Sequence, residues 1–209
     1  MPRAGLYAVS VTQAGAELVD EVGADRLSMG LLAERLGIRT PSLYKHVAGQ
    51  ADLAHRIAVL AMTELADAVR DATAGRSGGE ALVAGARAMR TYVLTHPGRY
   101  AVGNAAVVTG PDDPLAPAVD RVLASWAAML HGYGLDRDQE VHALRLLRSL
   151  LHGFAALEAA GGFQLDTDVD ESFGWLLDFV DRGLRARPAP LPPTPGPDVR
   201  GGRAQRRWP

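Results

Sequence analysis

Apolar residues recur every three to four positions along most of the chain, and breaks rich in glycine or proline interrupt them at intervals. Val11, Ala14, Leu18 and Val22 form a first helical stripe, with Gly23 placed to end it. A short apolar stretch from Ser28 to Leu36 follows, with Ser28 as its expected N-cap and Gly37 just past its end. Thr40-Pro41 restarts a helix, because proline suits the first turn, and this restart ends near Val47-Ala48-Gly49. From Ala51 onward Leu53, Ile57, Leu60, Leu65, Ala68 and Ala72 mark one face of a long helix that runs out at Gly75-Arg76-Ser77-Gly78-Gly79. Leu82, Ala86, Met89 and Val93 make the next stripe, stopped by His96-Pro97-Gly98. After a loop at Gly110-Pro111-Asp112-Asp113-Pro114, Val119, Val122, Leu123, Trp126 and Leu130 define another helix, broken by Gly132-Tyr133-Gly134. Two leucine-rich stripes close the pattern: Val141, Leu144, Leu147, Leu151, Phe154 and Leu157, then Phe173, Leu176, Leu177, Val180 and Leu184, separated by Gly161-Gly162. The pattern predicts an all-α protein, a small three-helix head joined by a long helix to a helical-bundle body.

Composition narrows the function classes. The 209 residues suit one compact unit or two small ones, and 47% apolar with 22% charged residues is a globular balance. The absence of cysteine excludes disulfide scaffolds, zinc-thiolate sites, iron-sulfur clusters and cysteine nucleophiles. A formal net charge of -2 carries no global basic signal, so a nucleic-acid role has to come from a local surface. No apolar run approaches a membrane span, and Met1-Pro2-Arg3 is not followed by an apolar signal core, which predicts a cytoplasmic protein without membrane contact. Residues 1–50 read as the head, 51–79 as connecting helix and loop, and 80–187 as the body. Residues 188–209 read as a disordered tail, rich in proline and arginine.

The window Ser28 to Val47 carries the chemistry. A short helix, a three- or four-residue turn and a second short helix require a small residue where they cross, met by Ala33, and a permissive turn residue, met by Gly37. Ile38, Leu43 and Val47 plug the second helix onto the first. The residues left outward are Thr40, Ser42, Lys45 and His46, with Tyr44 at the rim, all able to reach base edges or phosphates in a major groove. This is helix-turn-helix spacing.

With Leu32-Ala33-Glu34-Arg35-Leu36-Gly37, Pro41-Ser42-Leu43-Tyr44-Lys45-His46-Val47 and Asp52-Leu53 in view, the chain resembles the TetR family of bacterial transcriptional regulators. The second half is similar to a subclass of that family named for a Trp-His-Gly tripeptide, through Arg145 to Phe154 with leucine in place of the tryptophan, and through His96-Pro97-x-Arg99-Tyr100. The resemblance implies a homodimeric, ligand-responsive repressor that binds a double-stranded operator and is not an enzyme. It places Arg39, Thr40, Pro41, Ser42 and Lys45 at the groove, Tyr44, His46 and Gln50 at phosphates, and Ser28 at a backbone contact. Gln50 stands where the family usually has lysine. Residues 1–60 hold six basic and six acidic residues, so the head is neutral, which predicts few phosphate contacts and a shallow salt dependence. The alternative is a helical dimerisation or ligand-binding module with little sequence-specific DNA binding.

The expected dimer interface is the leucine-rich pair of stripes, Leu144, Leu147, Leu151, Phe173, Leu177, Val180 and Leu184, wide enough to face both the body and a second copy, the alternative being a monomer whose two stripes pack on each other. An unknown small-molecule effector would lie between the body helices, with Tyr92, Tyr100, Trp126, Met129 and Phe154 as candidates and with Arg148 and His152, one turn apart, able to meet an anion. Gly75-Arg76-Ser77-Gly78-Gly79 matches a Gly-x-Ser-x-Gly nucleophile motif, but no strand precedes it, so it reads as an interhelical loop. His96, His131, His142 and His152 lack the spacing of a helical metal site, and neither metal nor cofactor is expected.

Overall fold

Residues 7–186 are described by the computed structural model, and among them nine α-helices and one 3-10 turn account for all regular structure. They are α1 (Ala8–Val22), α2 (Met29–Arg35), α3 (Thr40–Leu43), α4 (Gln50–Thr73), α5 (Gly78–Thr95), α6 (Pro97–Ala105), α7 (Leu115–Leu130), α8 (Arg137–Ala159) and α9 (Val169–Arg185), with the 3-10 turn at Ala24–Arg26. The expected tail, residues 188–209, lies outside the described residues.

Local chemistry explains the boundaries. The Ser28 hydroxyl accepts the Leu31 N–H at 3.2 Å and starts α2. Asp136 and Gln139 form a reciprocal capping box that starts α8, and the Asp168 carboxylate accepts the Asp170 and Glu171 N–H groups to start α9. Ser77 occupies the N-cap of α5 in the link from α4, so the Gly-x-Ser-x-Gly match is an interhelical loop.

Two cores share one helix. Val11, Leu18, Val19, Leu27, Leu32, Leu43, Val47, Leu53 and Ile57 form the head core. Met62, Leu65, Val69, Leu82, Met89, Leu115, Trp126, Met129, Leu147, Phe173 and Leu177 belong to the body core. The first two turns of α4 therefore pack on the head and the remainder on the body. Along that helix the sequence stripe is only partly the buried face: Leu53, Ile57 and Leu65 are buried, while Leu60, Ala68 and Ala72 are half-buried.

Two corrections come from the packing. The stop read at His96-Pro97-Gly98 is also a start, because Pro97 opens α6, an element the apolar pattern does not announce. The proposed interface residues Leu147, Leu151, Phe173, Leu177, Val180 and Leu184 are buried inside the chain, and Leu144 packs half-buried against the same core. The six buried residues are the seam by which the body closes on itself, and Leu144 lies at its edge. Outside that seam stand Val141, Leu146 and Leu157 on α8, and Trp175 and Phe179 on α9.

Candidate nucleic-acid interface and body cavity

Position 37 decides where α3 can begin. Gly37 sits at φ +64°, a left-handed conformation that a Cβ resists. The Gly37 N–H donates to the Glu34 carbonyl and the Ile38 N–H to the Ala33 carbonyl, each at 3.0 Å, which closes a Schellman turn. The chain re-enters a helix at Thr40, and Leu43 and Val47, 0% and 2% exposed, seat that segment on the head core. Packing thus consumes one side of the segment. The other side presents Arg39, Pro41, Tyr44 and Lys45 exposed, with Thr40, Ser42 and His46 partly so. Gln50 is exposed at the first position of α4, and Ser28, at the start of α2, is half-buried with its hydroxyl oxygen engaged by Leu31.

A neutral total hides an uneven distribution of charge. Arg35 bridges Glu17 at 3.3 Å and Glu21 at 2.6 Å between α1 and α2, and its hydrogen bond holds the Glu21 carboxyl below its usual pKa. Asp52 accepts the Ala48 N–H at 2.8 Å and pairs with Arg56 at 2.9 Å; that N–H, aided by Arg56, keeps its carboxyl below the usual range. Asp20 is occupied by Arg99 from α6. Most head acids are therefore tied up, whereas Arg39 and Lys45 have no acidic partner among the described residues. These two cations are therefore available to phosphates on the exposed side of α3.

In the body, the seven candidate effector residues do not form one set. The Tyr100 hydroxyl lies 2.9 Å from His152 Nδ1, and burial pushes its pKa up to about 12 against the opposing effect of Arg148, which is itself exposed. Tyr92 donates to Glu64 at 3.0 Å, and burial drives its hydroxyl pKa upward. Met129 is fully buried, and the buried Trp126 Nε1 donor has no partner among the described residues. Phe154 belongs elsewhere, in a cluster with Phe163 and Phe173 at ring distances of 4.8 and 4.9 Å. Arg90 lies 4.9 Å over the Phe173 ring and is paired with Glu158 and Asp170. A cleft of about 400 Å3 opens beside that cluster, lined by Arg87, Arg90, Thr91, Leu94, Asp170, Phe173 and Gly174, and it contains none of the seven.

Residue patterns gave no sign of two polar links that the fold assembles across long sequence separations. His55 Nε2 lies 2.7 Å from Asp113 Oδ1, tying α4 to the loop before α7. Arg99 joins Asp20 of α1 to Glu64 of α4. Arg99 did appear in the subclass motif, though without a role. No group of three or more His, Asp or Glu able to hold a metal occurs among the described residues.

Comparison with known proteins settles the family. Residues 82–180 match the model for the tetracyclin repressor-like C-terminal domain. The chain is 32% identical to the helix-turn-helix transcriptional regulator YobS of Bacillus subtilis over 185 residues, 88% of this chain and 95% of that protein. The chain belongs to the TetR family. It is also 33% identical to the helix-turn-helix transcriptional regulator Rv0681 of Mycobacterium tuberculosis, covering 85% of this chain and 81% of the relative. Two solved structures show the same fold. One is a Rhodococcus protein of unknown function, with TM-score 0.74, 20% identity, and 88% and 98% of the two chains covered. The other is a variant TetR from Acinetobacter baumannii AYE in complex with minocycline, with TM-score 0.66, 24% identity, and 87% and 98% covered. As a TetR-family protein the chain is a DNA-binding transcriptional regulator and not an enzyme.

Proposed function

We propose that this regulator is a homodimeric repressor that reads a palindromic operator through Arg39, Thr40, Pro41, Ser42, Tyr44, Lys45 and His46, with Ser28 and Gln50 at the flanking backbone, and releases it when a small molecule enters the body. One observation carries the reading: Leu43 and Val47 hold the α3 segment to the core, while its polar and basic side chains face outward and Glu17, Glu21 and Asp52 are paired with Arg35 and Arg56. Arg39 and Lys45, without an acidic partner among the described residues, favour this reading over a head that no longer reads DNA.

One head contacts only a few base pairs, so useful affinity requires two, about 34–36 Å apart on one face of the duplex or a multiple of that. The partner-facing surface is the outer side of α8 and α9. Trp175 and Phe179 are 67% and 59% exposed and stack at 5.7 Å, continuous in chemistry with Val141, Leu146 and Leu157. A four-helix contact between two copies would bury them.

For the effector, the body helices offer two separate polar features, the Tyr100–His152 pair with Arg148 near it and the unmet Trp126 donor. An unmet buried donor costs about 1–3 kcal/mol, which an acceptor atom on a ligand would offset. The similarity in fold to a minocycline-bound TetR supports a body that admits ligands. Release follows if the ligand fits better when the heads are splayed away from operator spacing. Such a regulator works on chromosomal DNA in the cytoplasm. Sedimentation combined with a gel shift against the chain's own upstream DNA, in excess competitor, tests the proposal. A dimer giving a competitor-resistant shift supports it, and a monomer or a shift lost to competitor overturns it. Trp175→Ser with Phe179→Ser should yield a folded monomer.

A further inference from the structure

Arg99 is the most deeply buried charged residue among those described, at 4% exposed, and it lies in neither the head nor the cavity. It sits at the joint between head and body. Its Nε donates to Asp20 Oδ2 at 2.7 Å, its backbone N–H donates to Asp20 Oδ1 at 2.8 Å, and its second guanidinium nitrogen reaches Glu64 at 3.0 Å. His96 Nδ1 lies 3.3 Å from the same Asp20 carboxylate, and Glu64 also accepts from Tyr92. Four helices meet at this cluster.

The arrangement is directional. Arg99 is the third residue of α6, and the helix has no side-chain cap of its own from His96. Asp20 of α1 takes that role from outside, accepting an N–H that would otherwise be unpaired and placing negative charge at the positive end of the helix. Beside it Gly98 brings backbone against backbone: a Cβ there would fall 1.9 Å from the Val19 carbonyl oxygen. The head is covalently joined to the body only through α4, which could bend or rotate. The Asp20–Arg99 grip removes that freedom, since tilting α1 breaks two short charge-assisted bonds and leaves a buried guanidinium half-paired.

We propose that Asp20 and Arg99 are positioning residues that set the angle of the head on the body, and through it the half-site spacing the dimer accepts. The inference rests on the two-headed reading above. Neither residue touches DNA: they act by fixing where α3 points. One added base pair moves a half-site by about 3.4 Å and a tenth of a turn, a mismatch that a rigid joint rejects and a loose one absorbs.

An operator selected with the full chain from a random-sequence pool provides the probe, remade with its centre lengthened or shortened by one and two base pairs. Binding by fluorescence anisotropy is measured for the native chain, Asp20→Ala and Arg99→Lys, the last keeping a charge opposite Asp20 but unable to grip both acids. The native chain should lose at least about tenfold in affinity per altered spacing, and both variants less than about threefold. A purely structural role would lower the active fraction and shift every Kd by one factor, and that unchanged ratio overturns the inference. Should Asp20→Ala fail to fold by circular dichroism, Arg99→Lys decides alone, and retained discrimination overturns the inference. A native chain indifferent to spacing overturns the two-headed reading and this inference with it.

Discussion

Gly98→Ala sets helix propensity against tertiary packing, and the two predict opposite signs. In an isolated helix alanine is favoured over glycine by up to about 1 kcal/mol. Here the new Cβ would fall 1.9 Å from the Val19 carbonyl oxygen, 2.2 Å from its carbon and 2.6 Å from the Asp20 nitrogen, all backbone atoms that no rotamer change can move. The helices α1 and α6 must part by roughly an ångström, which stretches the 2.8 Å bond from the Arg99 N–H to Asp20. Overpacking of this kind costs about 1–3 kcal/mol, and loss of a charged hydrogen bond adds about 1.5–3, so a net loss near 3 kcal/mol follows after the propensity gain. For a chain of this length that is a fall in Tm of roughly 6–12 °C. Thermal unfolding by circular dichroism measures it, with Gly30→Ala as a control, because the nearest atom to a Cβ there is Ser28 Oγ at 3.9 Å. The control should be neutral or slightly stabilising. A Gly98→Ala protein as stable as the native chain would refute the close backbone contact and the joint built on it.

Leu43→Ala removes the fully buried plug beneath α3. It should destabilise the chain by about 2–5 kcal/mol in urea unfolding and weaken operator binding beyond what the unfolded fraction explains. Acid should loosen the body in a defined window. The Thr109 and Leu115 N–H groups, with the Thr109 hydroxyl and His55, hold the Asp113 carboxyl well below its ordinary pKa. Its stabilisation is full above the unfolded value of about pH 4 and declines as pH falls toward the folded one, so the urea midpoint should drop more steeply there than in Asp113→Asn. Equal slopes would remove Asp113 as a source of the acid sensitivity.

The head was legible because its determinants are local. Ser28 and Gly37 act within one turn of where they stand, and Ala33, Leu43 and Val47 pack within one small head core, so spacing assigns them. The body was legible only in part. Periodicity marks apolar positions on α8 and α9 but not which of two apolar faces turns inward, and that choice belongs to tertiary packing: Phe173 and Leu177 went in, Trp175 and Phe179 stayed out. Helix α6 escaped notice because Pro97-Gly98 has the signature of a break, and only the docking of α1 reveals why glycine is needed there. The polar links Asp20–Arg99 and His55–Asp113 span 79 and 58 positions, beyond any local pattern. Net charge does not reveal which cations stand without an acidic partner, since pairs such as Arg35 with Glu17 and Glu21 are set by the packing of α1 on α2.

The claim on which the account rests is that the exposed side of α3 enters a duplex, and a salt titration of operator binding with Lys45→Ala tests it most directly. The native chain should bind its selected operator with an affinity that falls as salt rises, and the variant should bind more weakly with a slope of log K against log salt reduced by about one, while remaining a dimer. Unchanged affinity and slope in a folded, dimeric variant would contradict the account.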